Sequence, residues 1–126
     1  MIPGFEDQTA PLSDYEKNTL MPVIVKGLQK RIGKHFAITN AEMCRKLKPL
    51  YSDVNGARIR KIINHIRIYD KVSCLVSTSK GYYVTKELDE LNDYIKSLNK
   101  RATAILAVAR AIDRQRNNLK PNLFDE

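Results

Sequence analysis

Long apolar runs are missing from this chain: none of its 126 residues belongs to a stretch approaching the roughly 18 residues of a membrane span. No membrane partner is therefore expected. The opening MIPGFEDQTAPLSDYEK lacks the basic-then-apolar pattern of a secretion signal, which predicts a cytoplasmic protein. Cysteine is scarce. Cys44 and Cys74 each sit inside an apolar pattern, and in a cytosolic chain this predicts two buried, reduced thiols. His35 and His65 are not at ligand spacing to them, so no metal site is expected. No glycine-rich phosphate loop is present: Gly27 and Gly33 are followed by Lys34-His35, not by Lys-Ser/Thr. Neither histidine has a serine or cysteine partner motif. The acidic pairs Glu87/Glu90 and Asp89/Asp93 fall on the outer face of a helical pattern and read as surface charge. Catalysis and a cofactor are not expected. There is no internal repeat and no low-complexity segment.

What the chain does have is a concentrated positive charge. The net charge is +8, but residues 1–25 carry −3, residues 26–85 carry +10 and residues 86–126 carry +1. A basic excess confined to one segment favours phosphate partners and steers their approach.

In chain order, residues 1–12 lack periodicity and read as a flexible or surface-draped arm. Ser13-Asp14-Tyr15-Glu16 is a capping box that should open a helix. Pro22 then either kinks that helix or restarts it after a short turn ending near Leu20. Val23, Ile24, Leu28 and Ile32 supply a core stripe, and Gly33 is a natural stop. Ala37-Ile38-Thr39 suits a single short strand. Thr39-Asn40-Ala41-Glu42 is a second capping box, opening a short helix through about Lys48 with Met43, Cys44 and Leu47 inward. Asn55 is the cap expected for a third helix.

That third helix has a clean apolar stripe in Ile59, Ile62, Ile63, Ile66 and Tyr69. Its opposite face carries Arg60, Lys61, Asn64 and Arg67, with Ile68 also outward. Val72–Ser77 and Tyr82–Thr85 then match as a hairpin, with Gly81 free to take a positive φ at the turn. A helix held by isoleucines and faced with Arg, Lys and Asn can enter a major groove, where Arg and Lys donate to guanine and Asn pairs with adenine. By residue type Asn64 is the leading base reader, with Arg60 and Lys61 beside it. Arg67 is placed for phosphate, and Arg58, nearer the helix start, suits either. Ile68 can touch a thymine methyl, pack under the hairpin or meet a partner. Thr78, Ser79, Lys80 and Tyr82 at the hairpin tip suit phosphate or minor-groove contact.

Gly-Ala-Arg-Ile-Arg-Lys-Ile-Ile-Asn-His-Ile-Arg, followed by Val-Ser-Cys-Leu and Ser-Thr-Ser-Lys-Gly-Tyr-Tyr-Val, resembles the recognition helix and wing of biotin-repressor-type winged helices. Ser79-Lys80-Gly81-Tyr82 stands at the wing position. The arrangement is also similar to small winged-helix proteins of bacterial phages and mobile elements. The resemblance covers about residues 14–85. It implies sequence-specific binding of double-stranded DNA in a transcriptional or replication-accessory role, and it does not imply ligase activity. One departure is Tyr69-Asp70-Lys71, where the family often has glycine; Asp70 tolerates a left-handed conformation.

A final helix should run from near Lys86 to about Arg116, roughly 45 Å long. Leu88, Leu91, Ile95, Leu98, Ala102, Ile105, Ala109 and Ile112 recur along it as a heptad seam. The seam either joins two copies as a homodimer or folds back on the first helix of its own domain. In a dimer, two recognition helices would read half-sites about 34 Å apart. The expected architecture is mainly α with a small β-hairpin (α+β): a flexible arm (1–12), a winged helix-turn-helix (13–85), a long dimerising helix (86–116) and a frayed tail (117–126). The alternative function is a protein–protein adaptor that uses the winged helix and the heptad helix as interaction surfaces.

Overall fold

A computed structural model describes residues 10–119. Its elements are a π-helical turn (Glu16–Leu20), α1 (Met21–Gln29), α2 (Asn40–Leu47), α3 (Gly56–Ile68), β1 (Leu75–Thr78), β2 (Gly81–Val84) and α4 (Leu88–Gln115). Short 3-10 turns occupy Lys34–Phe36 and Arg116–Leu119. The protein is thus mainly helical, with a two-stranded antiparallel sheet and a long C-terminal helix. The chain divides into two units between Leu91 and Asn92. The sequence expectations for residues 1–9 and 120–126 lie outside the described residues. Within the expected arm, Leu12 packs against the core, and the start of the expected tail is the Arg116–Leu119 turn.

Caps set the helix starts. Glu16 N–H donates to Ser13 Oγ at 3.1 Å while Ser13 N–H donates to the Glu16 carboxylate at 2.9 Å. The same reciprocal pair joins Thr39 and Glu42 at 3.1 and 3.0 Å. Arg58 N–H donates to Asn55 Oδ1 at 2.8 Å. Each satisfies amide donors that a helix N-terminus leaves unpartnered. Pro22 is absorbed by the π-turn ahead of it. The hydrogen-bond ladder lengthens by one residue there, so the amide that proline lacks is not called on.

The core gathers one face from each helix and the sheet. Leu20, Ile24 and Leu28 meet Ile59, Ile62, Ile63 and Ile66, with Met43, Val54, Val72, Leu75 and Val84 closing around them. At about 25 cal/mol per Å² of apolar surface removed from water, this cluster is the main term holding α3 in place. The expected stripe needs two corrections. Ile32 is exposed, because the chain turns out of helix after Gln29. Tyr69 is exposed too, because α3 ends at Ile68, and its ring lies against His65 with centroids 4.4 Å apart.

α3 stops in a left-handed residue. Asp70 has φ 57°, and Lys71 N–H donates across it to the Ile66 carbonyl at 2.9 Å, closing the helix end as a glycine commonly does. The first strand begins later than Val72, at Leu75, because Cys74 takes φ 60° and breaks the extended run. Cys74 is consequently exposed and Cys44 half-buried, so neither is the buried thiol that the apolar pattern implied.

In the hairpin, Leu75 faces Val84 and Thr78 faces Gly81, leaving Ser79 and Lys80 as a two-residue tip. β2 is bonded on its other edge as well. Ile38 exchanges both backbone bonds with Tyr82 (3.0 and 2.8 Å), and Gly33 N–H donates to the Val84 carbonyl at 2.9 Å. The single short strand expected at 37–39 is therefore one bridge at Ile38. Gly81, at φ 120°, sits so close to this crossing that a Cβ would lie 2.6 Å from Thr39 N and nearer still to the Ile38 carbonyl.

Candidate nucleic-acid interface

The surface of interest is the outer side of α3 and the hairpin. The isoleucine face of α3 is fully buried, which fixes the helix's rotation. Its start is tied to α2 where Asn40 Nδ2 donates to the Gly56 carbonyl at 3.2 Å. With rotation and start fixed, each of the other side chains has a defined surrounding.

Arg58 and Lys61, both expected to meet DNA, are paired with carboxylates within the protein. The Glu16 carboxylate is nearly inaccessible, at 3% exposure, and receives Lys61 Nζ at 2.7 Å and Arg58 Nε at 2.9 Å. Arg58 also reaches the Asp53 carboxylate at 3.1 Å and the Asp53 carbonyl at 3.2 Å. Its guanidinium lies over the Tyr15 ring, 5.5 Å from the centroid, and Tyr15 Oη donates to Asp53 at 3.0 Å. This network fastens α3 to the π-turn. Burial alone pushes the Glu16 carboxyl up. The Lys61 ammonium, the Ser13 amide and the Arg58 guanidinium outweigh that and hold it at about 2. Arg58 rises because it gives its hydrogen bond to Glu16. Glu16, Asp53 and Tyr15 were not expected here. Their signal in the sequence was limited to the role of Glu16 in a capping box.

Arg67 serves a different junction. Its guanidinium carbon stands 5.4 Å from the centroid of the Tyr82 ring, a cation–π distance. The contact joins the flank of α3 to β2, bringing two expected site residues together. Thr78 Oγ1 accepts from Lys80 N–H at 3.1 Å and shapes the tip, while Ser79 and Lys80 are exposed. Arg60 is exposed on α3, Asn64 is half-buried and Ile68 is 63% exposed.

Along one side of α3 runs an open groove of about 370 Å³, between Pro11, Leu12 and Lys17 on one wall and Lys61, Asn64 and Ile68 on the other. His65 also lines it. Burial, then the charges of Lys17 and Lys71, lower the His65 pKa and favour the neutral imidazole. Among the described residues, no three His, Cys, Asp or Glu side chains gather as a metal site.

The expected dimerisation residues lie along α4. Leu88, Ile95, Leu98, Ala102 and Ile105 are exposed, and Leu91 is half-buried. No residue of α4 is buried, and among the described residues no helix is long and apolar enough to cross a membrane. Comparison with protein families, curated proteins and solved structures gives no match.

Proposed function

We propose that residues 13–85 are a winged helix-turn-helix that binds double-stranded DNA, with α3 as the recognition helix and the β1–β2 hairpin as the wing. Two copies join through α4. The observation that carries this reading is the Arg67–Tyr82 contact. It docks the hairpin on the flank of a basic helix, with Arg60 and Lys80 both left exposed. The order of helix, bridge strand, helix, helix and hairpin supports it, as does the +10 charge of residues 26–85.

Within this reading the roles divide. Arg60 and Asn64 read base edges, and Ile68 meets a thymine methyl. Thr78, Ser79 and Lys80 contact phosphate or the minor groove. Arg58 and Lys61 act through Glu16 as positioning residues, and Arg67 and Tyr82 hold helix and wing in register. The cellular role is transcriptional regulation, or accessory work in replication for a phage or mobile element.

The test is a mobility-shift titration against mixed-sequence duplex at low salt, followed by selection of bound fragments. Binding that weakens steeply with salt is expected. The absence of any duplex binding at low salt overturns the proposal. Exposed Ile68 beside the groove favours a second reading, a protein–protein adaptor, whose association would be insensitive to salt.

A further inference from the structure

The seam on α4 alternates large and small side chains with a definite symmetry. Counting from Leu88 as position a, the a positions are Leu88, Ile95, Ala102 and Ala109, and the d positions are Leu91, Leu98, Ile105 and Ile112. The two alanines thus share one type of position and one half of the helix. Two α4 helices laid parallel would place a on a and d on d. Ala102 would face Ala102 and Ala109 would face Ala109, while Leu91 and Leu98 met their own equivalents. One half of the pair would then be underfilled, and interior packing tolerates such voids poorly.

Laid antiparallel about a midpoint at Lys100, the layers change partners. Leu91 falls opposite Ala109 of the second copy, Ile95 opposite Ile105, and Leu98 opposite Ala102. Each alanine meets a leucine, Ile95 meets Ile105 and Leu88 meets Ile112, so no layer pairs alanine with alanine and the smaller layers are spread along the whole seam. We infer that two copies of this chain pair antiparallel through α4, with this a-to-d register.

Charge runs the same way. Residues 86–93 hold one lysine against four acids, and residues 96–116 hold six Lys/Arg against one acid. Glu90 is engaged by Lys34 at 3.1 Å, and Asp89, Asp93, Arg110 and Arg114 stand at the outer b and f positions. In the antiparallel pair the acidic end of one helix therefore lies alongside the basic end of the other, without direct side-chain pairing. A parallel pair would set acid beside acid and base beside base. This polarity also complements the dipole of a single helix, so the volume match carries the orientation and the charge supports it. The second half widens beyond a two-residue stripe, since Leu106 and Val108 are 51% and 64% exposed. They flank the seam, and in the antiparallel register they lie alongside Asn92 and Tyr94 of the second copy.

The inference rests on the self-pairing part of the proposed function and not on DNA binding, so its test contains no DNA. In a Cys44→Ser, Cys74→Ser background, Asn92→Cys and Leu106→Cys chains of different mass are co-expressed and treated with a short bis-maleimide. On one helix these positions lie about 21 Å apart, which the linker cannot span in a parallel pair. The expected product is the mixed dimer, several-fold over either like-with-like dimer. Predominant like-with-like product overturns the orientation. Asn99→Cys, near the midpoint, cross-links in either orientation. No product from it, with a monomer in sedimentation, overturns pairing through α4 itself. Product from it with no mixed product overturns the register.

Discussion

Lys61 Nζ lies 2.7 Å from Glu16 Oε1, an ion pair that joins the recognition-helix candidate to a turn 45 residues earlier in the chain. A basic side chain that a linear reading assigns to a polyanion already has its anion. Replacing Glu16 with Gln leaves Lys61 and Arg58 facing a neutral group in a half-buried site. Losing one partner of a buried ionic network costs several kcal/mol at most. Because both cations keep some water contact, E16Q is expected to destabilise by about 2 kcal/mol. Urea titration of E16Q against the parent measures it.

The same carboxylate predicts an acid-labile fold. Its folded pKa of about 2 lies below the ordinary glutamate value of about 4.3. As pH falls between these values the unfolded chain takes up a proton that the folded chain does not, so stability drops. The contribution is fully present above about pH 4.5. Thermal melts at pH 7, 4.5 and 2.5 should show the loss, and E16Q should show a shallower pH dependence over that window.

Arg60 and Lys80 are exposed and lie outside the Glu16 network. Each change to Ala is expected to lower duplex affinity and flatten the log–log salt slope by about one unit, with stability within about 0.5 kcal/mol of the parent. Lys61→Ala should instead lose stability. Binding titrations across a salt series, paired with melts, separate the two behaviours.

Gly81 tolerates no side chain. Its φ of 120° is already unfavourable for an L-residue, and the added carbon would overlap the Ile38 backbone. Gly81→Ala is expected to cost more than about 2 kcal/mol. Hydrogen exchange at the Ile38 and Tyr82 amides, which bond across that crossing, should accelerate more than exchange in the centre of α3.

Local chemistry made much of this legible. Ser13, Thr39 and Asn55 sit at fixed offsets from their partners, and a cap is a matter of three or four neighbouring residues. The isoleucine stripe of α3 and the tolerance of Asp70 for a left-handed turn are equally local. What could not be read were pairings across the chain. Arg58 and Lys61 carry the same charge whether they face solvent or Glu16, and periodicity says nothing of a carboxylate 42 or more residues away. Tyr69 keeps the apolar spacing of α3, but only the helix end shows that it has left the core. Cys74 looked buried because its neighbours are apolar, yet its left-handed φ takes it out of the strand alternation.

The π-turn at Glu16–Leu20 sets the phase of everything before α1. Removing one residue there would restore ordinary helical pitch with the preceding positions near their present phase, because the wide turn takes up one extra residue. Adding a further residue would instead swing those positions by about 100° around the axis, and Glu16 would leave Lys61 and Arg58 although every residue type in the network survived. A single-residue insertion after Asn18 should therefore resemble E16Q in its acid response. The spacing between Glu16 and Pro22 is thus as much a determinant of how α3 is held as the charges themselves.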